Sequence, residues 1–224
     1  MGTNRTRAIV LRRTNFGEAD RVLQLITPNG KISVMARGAR REKSKLAGAI
    51  ELFGISEIVV ADGKGEIKTL TSAKLIHFYN HILEDYDRMQ FAYTAIKLIS
   101  NASEMVAEPE WYDILAETLM GLDALSIPIE IVETWFYLHY SALNGHDLSL
   151  ERDVNDEKII ADKKYRYDIN ERGLKPYDNG EITADHIKLL RIINTRPIKT
   201  MAQIGGVSRI APDCLQLARQ HAAL

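Results

Sequence analysis

Lys31-Ile32-Ser33-Val34-Met35-Ala36-Arg37, running directly into Gly38-Ala39-Arg40-Arg41-Glu42-Lys43-Ser44-Lys45, decides how this chain is read. The first seven residues alternate with the period of a strand: Ile32, Val34 and Ala36 share one face, and Lys31, Ser33, Met35 and Arg37 the other. The strand then empties into a loop that packs Arg37, Arg40, Arg41, Lys43 and Lys45 against one acid, Glu42. A turn needs one or two special residues, and cations this crowded repel one another unless water or a polyanion screens them. A solvated, mobile loop is the plain reading of such a run; its setting argues for more.

Working outward, the segments on both sides also read as strands. In Arg7 to Arg13 the alternation places Ile9 and Leu11 on one face and Val10 and Arg12 on the other. A turn at Asn15-Phe16-Gly17 leads into Arg21 to Thr27, where Leu23 and Leu25 share a face, and Pro28-Asn29-Gly30 reverses the chain. Beyond the basic loop, Phe53 to Ala61 and Glu66 to Thr71 form a second hairpin around Asp62-Gly63-Lys64-Gly65. Five strands with one long basic connection after the third predict a small Greek-key barrel of OB type, a fold that takes nucleic acid on one sheet face and its loops. Phe16 and Phe53 are its only aromatic residues, and Phe53 reads as core, so nucleic acid is expected to be held mainly through phosphates, with sequence-tolerant and salt-dependent affinity.

From about Ile76 the period becomes helical. Ala92, Ile96 and Ile99 make one stripe, and Trp111, Ile114, Leu115, Thr118, Leu119 and Leu122 a fuller one. A third helix opens at Pro128, carries Ile131, Val132, Trp135, Phe136 and Leu143, and stops at Asn144-Gly145. Residues 146–182 break the pattern with charge and a short hairpin around Tyr165-Arg166-Tyr167-Asp168-Ile169; helices return at Thr183 to Asn194, near Ile198 to Ile204, and at Ala211 to Ala222. The expected class is therefore α+β: an OB-fold barrel over 1–76 and a helical domain over 77–224 with an insert at about 146–182.

The net charge of −1 conceals an asymmetry. Residues 1–50 hold eleven cations against Glu18, Asp20 and Glu42, a balance of +8, which leaves −9 for the rest. A basic half on an acidic body points to a polyanion, nucleic acid before membrane. One cysteine, Cys214, excludes an intramolecular disulfide and an all-cysteine metal cage. The absence of a signal segment or a bilayer-length apolar run predicts a cytoplasmic protein.

His77 and His81 stand four apart, but no Glu follows His77 as zinc-protease chemistry requires. His139 falls on an apolar stripe and reads as a satisfied core histidine. Gly63-Lys64-Gly65 and Gly205-Gly206 fit neither a P-loop nor a dinucleotide fingerprint, and Glu84, Asp85 and Asp87 read as a solvated helix face. No Ser/His/Asp or Cys/His set can be placed from sequence. The chain reads as a binding protein, not an enzyme.

The motifs Ala8-Ile9-Val10-Leu11-Arg12-Arg13, Phe16-Gly17-Glu18-Ala19-Asp20-Arg21 and Thr27-Pro28-Asn29-Gly30-Lys31 resemble the RecO family of DNA repair proteins. So do Ala36-Arg37-Gly38-Ala39-Arg40-Arg41 and Lys43-Ser44-Lys45-Leu46, and together they cover about the first 75 residues. Further on, Leu138 to Gly145 resembles only the architecture, the end of the helix that precedes that family's insert. The resemblance implies a recombination mediator in the bacterial cytoplasm, at the nucleoid. Such a protein binds single- and double-stranded DNA, anneals complementary strands, and with RecR helps RecA displace single-strand-binding protein (SSB), whose acidic tail the family contacts. The positions it assigns to DNA are Arg37, Arg40, Arg41, Lys43 and Lys45, to which the basic strand positions Arg12, Arg13, Arg21 and Lys31 are added here. Many members carry a four-cysteine zinc module in the insert. Here 146–182 hold no cysteine, so no zinc or other cofactor is expected, and the hairpin near Tyr165 reads as a metal-free remnant.

Two rival classes remain open on the sequence. The C-terminal helices, with Met201-Ala202-Gln203-Ile204-Gly205-Gly206-Val207-Ser208 between them, resemble a helix-turn-helix regulator, although few cations lie there to meet phosphates. An adaptor that uses an OB-like barrel for protein contacts alone would bind no DNA even at low salt.

Overall fold

The computed structural model describes residues 2–62 and 67–223. They form two compact units, 1–119 and 120–224, with the division falling inside a helix. The first unit contains strands β1 (Thr3–Phe16), β2 (Asp20–Thr27), β3 (Gly30–Ala36), β4 (Gly54–Ala61) and β5 (Lys68–Phe78). These close in the order β1-β2-β3-β5-β4, with β1 also paired to β4. All neighbours are antiparallel except β3 and β5, which meet in parallel at Val34–Lys68 and Met35–Thr69. This is the OB topology expected from the strand periods. The turn proposed at Gly63-Lys64-Gly65 lies outside the described residues.

The barrel core is Ala8, Val10, Leu23, Leu25, Val34, Ala36, Ile58, Val60 and Leu70, plugged from the β3–β4 connection by Ala39 and Ile50. Val34 and Ala36 are inward as the alternation required, and so are Leu23 and Leu25. The alternation of β1 is corrected. A bulge between Val10 and Arg12 interrupts the pairing: Val10 faces Leu25, whereas Arg12 faces Gln24. The extra residue, Leu11, shifts the phase of everything after it, because side chains change face at each residue. Val10 therefore enters the core while Arg12, two residues on, is exposed. Ile9 and Leu11 are buried outside the barrel core, making Ala8 to Leu11 a four-residue buried run.

Two boundaries also move. The turn expected at residues 15–17 lies at 17–19, so Phe16 ends β1 opposite Asp20. The helical period read from Ile76 begins later, since β5 runs on to Phe78, pairing with Gly54, and a 3₁₀ turn spans Asn80–Glu84 before helix α1 (Tyr86–Met105). Asp85 caps α1, accepting from the backbone N–H of Asp87 at 3.0 Å and of Arg88 at 3.1 Å. It and Glu84 therefore precede the helix and do not form a solvated helical face. Ala92, Ile96 and Ile99 are buried as read, and α1 packs on β1 and β3. Helix α2 (Glu110–Asp123) buries all six residues of its stripe.

The second unit is helical, built on α3 (Ile129–Leu143), α4 (Ala184–Thr195) and α5 (Ala211–Ala222), with a 3₁₀ stretch at Ile198–Gln203. Asn144 ends α3 and Gly145 follows at φ 85°; Gly145 N–H reaches the Ala142 carbonyl at 2.9 Å and His146 N–H that of Ser141 at 2.8 Å. This is a Schellman stop, as Asn-Gly suggested. Between α3 and α4, the insert carries a hairpin of β6 (Tyr165–Asp168) and β7 (Gly173–Pro176). Its charge hides a packed interior: Leu148, Leu150, Ile159, Tyr165, Leu174 and Ile182 are buried. The Tyr165 hydroxyl accepts from Ile160 N–H at 3.0 Å, and its backbone exchanges two hydrogen bonds of 2.9 Å with Ile182.

Gly180 lies flat against that tyrosine. A Cβ there would meet the Tyr165 carbonyl oxygen at 2.3 Å and its nitrogen at 2.8 Å, and backbone cannot yield as a side-chain tip can. Gly180→Ala should therefore destabilise the protein by about 1–3 kcal/mol in a urea titration. An unchanged midpoint would show that the insert does not pack on Tyr165 in this way.

Candidate nucleic-acid interface

The basic loop is folded, not loose. Gly38 N–H donates to the Asp20 carboxylate at 2.7 Å, and Arg40 N–H to the Ala19 carbonyl at 2.8 Å. The Arg40 guanidinium reaches the Gly17 carbonyl at 3.1 Å. Two further turns follow, Arg41 N–H to the Gly38 carbonyl at 3.1 Å and Ser44 N–H to the Arg41 carbonyl at 2.9 Å. Gly38 adopts φ 64°, which a side chain would oppose, and Ala39 is sunk into the barrel core between half-buried Gly38 and exposed Arg40. Loop 37–45 is thus tied to the β1–β2 hairpin by backbone and held down by one methyl group.

The phase change at Leu11 then decides which cations share a surface. On the outer face of the sheet, register aligns Arg12 with Gln24 and Ser33, and Thr14 with Val22 and Met35, with Phe16 and Arg37 at the hairpin end. Arg12, Arg37, Arg41, Lys43 and Lys45 are exposed, and among the described residues no carboxylate lies within ion-pair distance of any of them.

Four other candidates are placed differently. Arg13 opposes Leu23, on the inner side at the barrel mouth, and is ion-paired to Glu51. Arg21 opposes Ala36 there, half-buried, and its Nε has no hydrogen-bond partner among the described residues. Arg40, also exposed, gives one guanidinium N–H to the Gly17 carbonyl of the hairpin. Lys31 is bound by α1: its ammonium donates to the Ser100 carbonyl at 2.9 Å, the Ser100 hydroxyl at 3.2 Å and the Glu104 carboxylate at 2.6 Å. The strand alternation correctly put Lys31 outward, but it carried no sign that a helix 69 residues later covers that end of the face.

The other residues singled out in sequence are accounted for by packing. His77 lies in β5 and His81 in the following 3₁₀ turn, so their spacing of four is not a helical one. His139 Nδ1 is 2.8 Å from the Trp135 carbonyl and its ring stacks on Trp135 at 3.9 Å; burial lowers its pKa. In α5, Cys214, Leu217 and Ala218 are buried and Arg219 is ion-paired to Glu133, so this helix presents little positive charge. No described helix is long and apolar enough to cross a membrane.

Two family models match the chain: "Recombination protein O N terminal" over residues 1–79 and "Recombination protein O C terminal" over residues 83–221. The chain belongs to the RecO family. The boundary between the two RecO matches falls where β5 gives way to the 3₁₀ turn. Among relatives named DNA repair protein RecO, that of Dehalococcoides mccartyi (strain ATCC BAA-2266 / KCTC 15142 / 195) is 35% identical over 72% of this chain and 64% of its own length. The Roseiflexus sp. (strain RS-1) RecO is 30% identical over 93% of this chain and 74% of its own. For Synechococcus elongatus RecO the figures are 34%, 99% and 89%. With the first of these, the chain thus spans just under two thirds of the relative.

Lys31 holds the Glu104 carboxyl below the usual carboxylate range, through their hydrogen bond and then their charge attraction. A carboxyl depressed on folding stabilises the protein above its ordinary pKa, and that contribution disappears as the pH falls through the folded value. Lys31→Ala should therefore lower the thermal midpoint more at neutral than at strongly acidic pH, while retention on immobilised heparin barely changes. Loss of heparin retention without loss of stability would return Lys31 to the anion-binding surface.

Proposed function

We propose that this chain is a DNA repair and recombination mediator that binds single- and double-stranded DNA and anneals complementary strands. With RecR, in the bacterial cytoplasm, it would help load RecA onto DNA coated by SSB, whose acidic tail is a further partner. The observation that carries the reading is the outer β1–β2–β3 face with its folded loop: Arg12 on the strand and Arg37, Arg41, Lys43 and Lys45 from the loop are exposed, none of them neutralised by a described carboxylate. Family membership supports it, since the relatives are named for DNA repair.

Annealing asks for no bond chemistry. Two strands repel through their phosphates, and a surface that neutralises several of them lowers the cost of approach. A loop folded in advance presents the exposed cations Arg37, Arg41, Lys43 and Lys45 without the entropy cost of ordering a mobile backbone. The helix-turn-helix alternative lacks such a surface, because α5 buries one side and commits Arg219 to Glu133.

Affinity for a random single-stranded oligonucleotide across a salt series tests this. Each phosphate neutralised contributes a slope of about −0.7 in log K against log salt, so five cations predict about −3.5. Arg41→Ala with Lys43→Ala should flatten the slope by about 1.4 and weaken all sequences alike. Arg40 is a poorer choice for that test, because its removal also releases the Gly17 carbonyl. No binding at low salt, or an unchanged slope in the double variant, would overturn the assignment.

A further inference from the structure

Phe16 and Phe53 have opposite fates. Phe53 is 2% exposed and packs edge-on against Tyr93, with ring centroids 4.9 Å apart. Phe16 is 57% exposed, at the last paired position of β1 opposite Asp20. A single exposed apolar side chain is ordinary on a protein surface. What distinguishes Phe16 is its neighbourhood. The next residue, Gly17, turns at φ 55° and gives its carbonyl to Arg40, while Asp20, across from Phe16, holds the Gly38 N–H of the cationic loop. These bonds hold the backbone on both sides of Phe16 to loop 37–45. One register row away on the same face lie Val22 and Met35, both half-buried, so the aromatic edge continues into an apolar strip.

Phosphate contacts alone would need none of this. Bases have flat apolar faces, and proteins that hold single strands combine a cationic track for the backbone with an aromatic ring on which a base stacks. In a duplex those faces are already stacked on one another and are not offered to a side chain. We propose that Phe16 is a base-stacking platform, and that it makes the interface favour unpaired over paired nucleic acid. The inference rests on the DNA-binding reading above and adds to it: loop 37–45 takes the phosphates, and Phe16 takes a base. It also adds a base contact to the expectation that nucleic acid is held mainly through phosphates.

The test compares wild type, Phe16→Ala and Phe16→Tyr on three probes at one salt concentration: oligothymidylate, an equally long strand of abasic sites, and a duplex. Stacking contributes about 1–3 kcal/mol per base, so Phe16→Ala should bind oligothymidylate at least about fivefold more weakly. It should bind the abasic strand and the duplex as wild type does, with an unchanged salt slope on each. Phe16→Tyr should restore oligothymidylate affinity, because the ring is kept. Equal affinity of wild type and Phe16→Ala for oligothymidylate overturns the proposal. So does an equal loss on all three probes, which would place Phe16 in the fold or the charge pattern. If the wild type binds the abasic strand but gains nothing from bases, the stacking platform fails while the phosphate surface stands. If it binds no probe at all, both readings fail together.

Discussion

The hydrogen bond from Gly38 N–H to the Asp20 carboxylate, with Arg40 N–H on the Ala19 carbonyl beside it, fastens the most cationic stretch of the chain to the β1–β2 hairpin. Like charges so near one another would otherwise drive the loop apart and into solvent. The cost of confinement is met by backbone bonds, by a glycine that accepts positive φ, and by Ala39 buried in the barrel core. The tips of Arg37, Arg41, Lys43 and Lys45 are then left exposed, with no carboxylate in ion-pair distance among the described residues. Asp20 is one of only three acids among the first fifty residues, and it serves the backbone rather than neutralising a cation.

Much of the barrel was legible because its signals are local. Strand period, the Pro28-Asn29-Gly30 reversal and the long third connection are written in neighbouring residues, and the structure closes them as an OB barrel. The helical stripes were equally plain, since Trp111 to Leu122 places six buried residues at helical spacing. What could not be read depends on partners distant in sequence. The bulge at Leu11 leaves no mark in a run of four apolar residues, Ala8 to Leu11, yet it decides that Arg12 faces out while Arg13 faces in. Strand β5 continues to Phe78 because β4 pairs with it, although much of β5 is exposed and shows no apolar alternation.

The candidate interface divides in the same way. Loop 37–45 was visible as a density of charge, but charge density says nothing of where each cation finds its partner. Lys31 and Arg13 sit among the same basic positions, and the fold gives them Glu104 and Glu51. In the insert the hairpin around Tyr165 was legible, but the many charged residues obscured six apolar ones spread over 148–182 that are buried once the chain has folded. A residue type can be counted in sequence, whereas its neutralisation is a property of the fold.

Chemical acetylation of lysines, with and without a saturating single-stranded oligonucleotide, addresses the central claim directly, because it reads individual ammonium groups. Lys43 and Lys45, exposed on the loop, should react freely alone and be protected by DNA. Lys31, with only 13% of its side chain exposed and three oxygens around its ammonium, should react little in either state. Lys188 and Lys199, exposed in the helical unit, should react equally with and without DNA. Protection of Lys188 and Lys199 with Lys43 and Lys45 left reactive would contradict the account and move the nucleic acid to the C-terminal helices.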